Sequence, residues 1–214
     1  MEKNTADRIR IVAAQEVDDD VIDTVFGVRG EAARCQCQWF RMRGRDFEAA
    51  SVDELRALHH EQTACGTASP VATSGLIAFL GDEPAGWCAV APRAHYPRLR
   101  AATVPWKGRA EDPADDTVWA VTCFVTRPGF RRRGVAAALA FAAPDFARDR
   151  GARAIEAYPL TDDPARVDAW GQLYVGVESI FERAGFVRVT HPTPRRVVVR
   201  RELPGADAST PVAE

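Results

Sequence analysis

No apolar run in the 214 residues approaches the roughly 20 needed to cross a bilayer as a helix, so no membrane partner is expected. A strong charge of one sign is missing too. Lys and Arg number 28 against 30 Asp and Glu, a formal net charge of −2, which leaves no broad basic field to gather nucleic acid. The opening Met-Glu-Lys-Asn-Thr-Ala-Asp has no charged-then-apolar signal pattern, and a cytoplasmic location is the expectation. The five cysteines are an odd number at irregular spacing. That argues against a disulfide framework and for reduced thiols. What remains is the composition of an ordinary soluble globular chain, long enough for one sizeable core.

The most informative stretch runs from Val118 to Ala136. Residues 118–126 are apolar and β-branched, as in a buried strand. Arg127-Pro128-Gly129 punctuates the chain, because proline has no amide to continue a ladder. Arg131-Arg132-Arg133-Gly134 then leads into Val-Ala-Ala-Ala-Leu-Ala, a run of strong helix formers. At a helix start the first amides lack carbonyl partners and the helix dipole is positive. With arginines beside it, such a turn suits a phosphate or pyrophosphate.

Other elements read in order around this centre. Residues 8–13 alternate as a first strand, and Asp18–Asp20 can cap a short helix through Phe26. Cys35-x-Cys37 invites a metal, but a closed zinc site needs four ligands. Cys65, His59 and His60 would have to converge by tertiary accident, so packing or pocket lining is expected and no metal. Trp39 and Phe40 are amphipathic aromatics suited to a pocket wall.

Ser51 and Glu54 form a capping-box pattern opening another helix, and residues 76–80 and 85–91 form a hairpin around Gly81-Asp-Glu-Pro84. Residues 92–117 form a long loop, basic first and acidic later, suited either to a phosphorylated ligand or to solvent. A helix over 134–150 bends at Pro144, and residues 152–159 form a strand joined to 118–126 by a right-handed crossover, hence parallel to it. Helical spacing resumes over 173–184 through Val177, Ile180, Phe181 and Ala184. Residues 186–189 and 196–200 close the sheet as a hairpin, which offers an edge for a possible homodimer. Residues 1–203 thus form one domain, and 204–214 read as a disordered tail.

This order of elements resembles the GNAT superfamily of acyl-CoA N-acyltransferases. Two motifs carry the resemblance: Arg131-Arg132-Arg133-Gly134-Val135-Ala136, which fits (Gln/Arg)-x-x-Gly-x-(Gly/Ala), and Phe181-Glu-Arg-Ala-Gly-Phe186, which fits Tyr-x-x-x-Gly-Phe except at its first residue. It implies an α/β fold of α+β type: a mixed, mostly antiparallel twisted sheet with a central parallel strand pair, flanked by helices. It also implies transfer of an acetyl or other acyl group from CoA, with acetyl-CoA as donor cosubstrate, to the primary amine of a small-molecule or peptide acceptor. Amides of Arg132 to Ala136, with Arg131 beside them, would cradle the CoA pyrophosphate. The strand before the motif would carry a bulge and part from its neighbour, exposing backbone at Phe124, Val125 and Thr126 to the pantetheine. Ser179 and Phe181 would lie against the cofactor.

Catalytic roles are less constrained. Phenylalanine at 181 donates no proton to the leaving thiolate. Tyr174, two helical turns earlier, is the expected acid, with Tyr158, Ser179 or water as alternatives. Glu156, buried on a strand covered on both faces, is expected to have a raised pKa and to act as the base, the alternative being an ion pair with Arg153 or Arg183. Cys123 is expected in the acceptor pocket with Trp39 and Phe40. Competing readings are a non-catalytic acyl-CoA-binding module and a nucleic-acid contact through Arg127 and Arg131–Arg133.

Overall fold

The structure is a computed structural model and describes residues 8–67, 74–162 and 174–204. All but the first residue of the expected tail at 204–214, and most of the loop at 161–169, lie outside the described residues. Strands β1 (Ile9–Ala13), β2 (Leu76–Leu80), β3 (Glu83–Pro92), β4 (Val118–Thr126), β5 (Ala154–Ala157), β6 (Val187–Thr193) and β7 (Arg196–Glu202) form a single sheet in the order β1-β2-β3-β4-β5-β7-β6. Every pairing is antiparallel except β4 with β5. The expected mixed sheet with a central parallel pair is therefore present. Burial dictates the composition of the middle strands: β2 and β5 are buried along their whole length, covered on both faces.

Helix α6 (Val135–Arg148) covers one face, over a core that includes Trp119, Val121, Phe124, Leu139, Phe146 and Phe181. It runs on through the buried Pro144 to Arg148. Its first turn sits directly on β3. A Cβ added at Gly86 would lie 2.5 Å from Val135 Cγ1 and 2.9 Å from the Val125 carbonyl oxygen, so only glycine allows that approach.

The other face carries α1 (Asp19–Phe26), α2 (Gly30–Cys35), α3 (Gly44–Ala49) and α4 (Val52–Thr63). A second core of Ile22, Val25, Phe26, Ile77, Trp87 and Val125 lies beneath them. The Ser51–Glu54 capping box is formed: Glu54 N–H donates to Ser51 Oγ at 3.2 Å, and Ser51 N–H donates to Glu54 Oε2 at 2.7 Å.

Two segments depart from expectation. Residues 92–117 contain a single 3-10 turn (Arg93–His95) and α5 (Pro97–Ala101), and two of their basic residues, Arg93 and Arg109, turn inward, as described below. The helix expected over 173–184 begins later, as α7 (Glu178–Arg183). Gly176 has φ +76° and Val177 is extended, so residues 174–177 approach α7 as a loop, although their apolar spacing is helical.

Candidate active site

The site begins with an irregularity in β4. Ala89 of β3 faces Cys123, but the next residue, Val90, faces Val121. Thr122 is therefore an extra residue, a bulge of the kind that ends pairing and re-aims side chains. On its other edge β4 pairs with β5 only over Val118–Val121. From Thr122 to Thr126 that edge has no strand beside it among the described residues. Phe124 and Val125 are buried and Thr126 is half-buried. The expected split and bulge are both where the sequence motif places them.

At one end of the open edge lies the arginine loop. Arg132 takes φ +60° and Gly134 φ +83°. Alternating left-handed residues curl a backbone into a concavity of N–H groups. The first helical bond of α6 runs from Ala138 N–H to the Gly134 carbonyl, so the amides of residues 135–137 precede the ladder. Arg131, Arg132, Arg133 and Gly134 are exposed, Val135 is buried and Ala136 half-buried. A Cβ on Gly134 would meet only Ile9 Cδ1, at 3.8 Å. Glycine is required there by its φ and by whatever must approach the backbone, not by packing.

On the helix-α1 side of the sheet, a cavity of about 650 Å³ opens beside the same stretch of β4. Its walls include Phe26, Cys35, Cys37, Trp39, Phe40, Phe47, Leu55, Thr122, Cys123, Val125, Tyr174 and Arg196. The structure thus brings Trp39, Phe40, Cys123 and Tyr174 together, as their assignments require. Trp39 is braced by Arg98 of α5, whose guanidinium carbon lies 3.6 Å from the ring centroid, and by the edge of Phe47 at 5.3 Å. Phe47, Leu55, Thr122 and Arg196 escaped the sequence reading. Thr122, polar within an apolar strand, was the one visible signal among them.

The cysteines of this wall are free thiols. Trp87 Nε1–H donates to Cys37 Sγ at 3.2 Å. Burial pushes the Cys35 thiol up to about 11. Cys37 is held below the ordinary thiol range, chiefly by a hydrogen bond from Cys123, and Cys123 is raised by the same contact and by burial. Among the described residues no group of three or more His, Cys, Asp or Glu side chains is placed to hold a metal ion.

Tyr174 keeps its place for a reason other than the one expected. It shares no helical face with Phe181, since α7 starts after it. It reaches the cavity from the loop and is half-buried against Cys123 and the second core. Burial, with nearby Cys123, raises its phenol pKa, so the hydroxyl keeps its proton at neutral pH. Phe181 is fully buried, packed between the tilted ring of Phe124 at 5.7 Å and the edge-to-face ring of Phe186 at 5.3 Å. Ser179 is occupied elsewhere: its backbone N–H and its hydroxyl both donate to the Asp162 carboxylate, each at 2.8 Å, an N-terminal cap for α7.

The expectations for Glu156 need correction. Its side chain is fully enclosed and does not line the cavity. Arg93 Nη1 donates to Oε2 at 3.1 Å, Arg200 Nη1 donates to Oε1 at 2.7 Å, and Arg109 reaches both oxygens. Tyr158 Oη donates to Oε2 at 2.9 Å. Burial alone would push this carboxyl up, but the hydrogen bonds and charges of Arg109, with Arg93 and Arg200, hold it below the usual carboxylate range. A carboxylate so stabilised is a poor base. Its partners also differ from those expected; Arg153 pairs instead with Asp115 at 2.5 Å. Tyr158 is committed to Glu156, and burial followed by that carboxylate's charge raises its pKa well above the ordinary phenol value.

A search of solved structures finds the same architecture with low identity. An N-acetyltransferase from Staphylococcus aureus Mu50 superimposes with TM-score 0.52 at 10% identity, covering 92% of this chain and 99% of that one. A GCN5-related N-acetyltransferase from Kribbella flavida gives TM-score 0.50 at 18% identity, covering 91% and 98%. These show the fold alone. No curated protein sequence matches the chain. The deciding observation is at family level: the acetyltransferase (GNAT) family pattern matches residues 37–173, more than half of the chain.

The chain belongs to the GNAT acetyltransferase family.

It is accordingly an N-acetyltransferase that uses acyl-CoA. The matched span takes in Cys37, Trp39 and Phe40 of the cavity wall, the bulged strand, the arginine loop and β5 of this GNAT protein. None of its described helices is long and apolar enough to cross a membrane.

Proposed function

We propose that the protein transfers an acetyl group from acetyl-CoA directly to the primary amine of a small-molecule or peptide acceptor. The observation that carries this reading is the open edge of β4 at 122–126, with an amide-rich helix start at one end and an apolar cavity beside it. The pyrophosphate sits on the amides of 132–136, with Arg131, Arg132 and Arg133 supplying charge. The pantetheine lies along Phe124, Val125 and Thr126 as an added strand. Phe181 supports Phe124 from below, and Ser179, held by Asp162, fixes the start of α7.

The thioester carbonyl then lies near the bulge, where a β4 backbone N–H serves the oxyanion. The amine enters from the cavity and attacks the carbonyl carbon. The C–S bond breaks, and Tyr174 protonates the CoA thiolate. The proton of the incoming ammonium leaves at the cavity rim, where Glu31 and Glu48 stand. Glu156 takes no part in proton transfer. The exposed Val187 and Val189 on the outer strand β6 support pairing with a second copy.

Calorimetry with acetyl-CoA tests the cradle: Gly134→Glu should abolish binding while the protein stays folded. Unchanged affinity would sink the assignment. Tyr174→Phe should lower kcat with little change in acetyl-CoA affinity, and a CoA-release assay with an accepted amine reads it.

A further inference from the structure

Among the described residues two cations line the cavity: Arg34, exposed and paired with Glu31, and Arg196, which the transfer chemistry above does not use. Arg196 opens β7 and is held by an isolated bridge to Leu160, beside the end of β5. Its Nη1 donates to the Tyr158 carbonyl oxygen at 2.9 Å. Its Nε and Nη2 have no hydrogen-bond partner, and its guanidinium no ion pair, among the described residues. The side chain is half-buried. Burial first, and the charge of Arg195 second, lower its pKa from the ordinary guanidinium value.

Three other inward-turned arginines behave differently. Arg93, Arg109 and Arg200 all face Glu156 and Glu111. A guanidinium drawn partly out of water without an anion is unfavourable, and its donors form a planar fork that matches a carboxylate.

The position of Arg196 is as informative as its lack of an anion among the described residues. It lines the 650 Å³ cavity and also a neighbouring one of about 220 Å³, and the two share Trp39, Phe40, Thr122 and Val175. It therefore stands where the two spaces meet, near the bulge. The carboxylates of the larger cavity, Glu31 and Glu48, are exposed and come from α2 and α3; Glu31 is already paired with Arg34. Most of the remaining wall is aromatic or aliphatic. The space asks for a bulky apolar body, and its junction asks for an anion.

We infer that the acceptor is an α-amino acid with a large apolar or aromatic side chain, its carboxylate held by Arg196 and its side chain against Trp39, Phe40 and Phe47. This rests on the acetyl-transfer reading above and deepens it. Anchoring the carboxylate at the junction leaves the α-amine next to the bulge, where the thioester is placed. An amine lacking the carboxylate loses that anchor, and a small polar amine leaves the cavity wall unfilled.

The test uses acceptor pairs that differ only in the carboxylate: phenylalanine against 2-phenylethylamine, and tryptophan against tryptamine. CoA release gives kcat/KM, and calorimetry gives acetyl-CoA affinity separately. The wild-type protein should favour each amino acid by about tenfold or more, the scale of a hydrogen bond to a charged group. Arg196→Gln should erase that preference with acetyl-CoA affinity unchanged, and Arg196→Lys, which keeps charge but not the fork, should retain part of it.

Equal rates within each pair in the wild type would overturn the inference. So would an Arg196→Gln variant that slows both members equally, since Arg196 would then act on the donor or on the transition state. Turnover of neither member of either pair, with acetyl-CoA still bound, would overturn the acceptor assignment and leave the donor site standing. Absence of acetyl-CoA binding would overturn both readings.

Discussion

Two arginine clusters in this molecule look alike on the page and do opposite things. Arg131–Arg133 are consecutive, exposed and carried on a backbone with left-handed residues at 132 and 134. Arg93, Arg109 and Arg200 are scattered through the chain, turned inward and locked on Glu156. The first cluster is organised by its backbone, with its charges left facing outward. The second is organised by the buried Glu156, with the less buried Glu111 beside it; without Glu156 three cations would share that one remaining carboxylate near the core. What makes arginines a binding surface or a structural brace is therefore not their number but where the matching negative charge comes from. Glu156 supplies it from within the fold; the loop, exposed and built on left-handed backbone, offers its charge outward to a ligand.

The strongest way to break this contrast is Glu156→Ala. Removing the shared anion should destabilise the fold by about 3–5 kcal/mol, read by denaturant unfolding. A loss of turnover at full stability would instead restore Glu156 as a catalytic group.

Acid sharpens the contrast from another side. Glu156 is depressed in the folded state, so its contribution is present above the unfolded carboxylate value and is lost as pH falls through the lower folded one. His59 is buried against Phe26 and Trp87 with neither ring nitrogen hydrogen-bonded, and burial lowers it to about 3. Below the ordinary imidazole value of 6.5 the unfolded chain takes up a proton that folded His59 refuses. Stability should therefore fall first between pH 6.5 and 3, by roughly 2 kcal/mol at pH 5. His59→Phe should flatten that part of the profile and leave the steeper loss below about pH 4.5, where carboxylates such as Glu156 protonate.

Gly134→Ala probes the loop more gently than the glutamate variant. Forcing alanine to φ +83° costs about 1 kcal/mol of stability, and acetyl-CoA affinity should drop by more than that strain explains. The smallest effect belongs to Arg132→Ala. Stability should change by less than about 0.5 kcal/mol, while acetyl-CoA affinity weakens at low salt and converges on wild type as salt rises.

The same contrast marks what could be read from the chain beforehand. The strand–loop–helix of residues 118–148, the Ser51–Glu54 cap and the hairpin at Gly81 rest on neighbouring residues, and all are found. Trp39, Phe40 and Cys123 were assigned to one pocket and do meet there, and Tyr174, expected as the acid on a helical face, joins them from the segment before α7. The partners of Glu156 lie 63, 47 and 44 residues away along the chain. Nothing local distinguishes Arg93 and Arg109 from Arg98, which packs on Trp39, or from the exposed Arg100. The late start of α7 was legible in principle, because Gly176 stands inside the helical pattern and adopts a conformation no helix contains. Apolar spacing outweighed it. Arg196 was hidden by its setting, as one basic residue opening an ordinary edge hairpin.

The extra residue in β4 has a consequence beyond opening an edge. Trp119 and Val121 pack under α6; after Thr122 it is Phe124 that does so, while Cys123 and Val125 join the opposite face. One inserted residue has exchanged odd and even positions. Deleting Thr122 would restore regular alternation, and because that alternation from Val121 then puts Cys123 and Val125 opposite α6 and Phe124 beneath it, the three side chains would keep their faces. The bulge thus fits one more residue into β4 without turning the acceptor-facing side chains around, so a one-codon deletion should alter the open edge and spare the facing of the pocket wall.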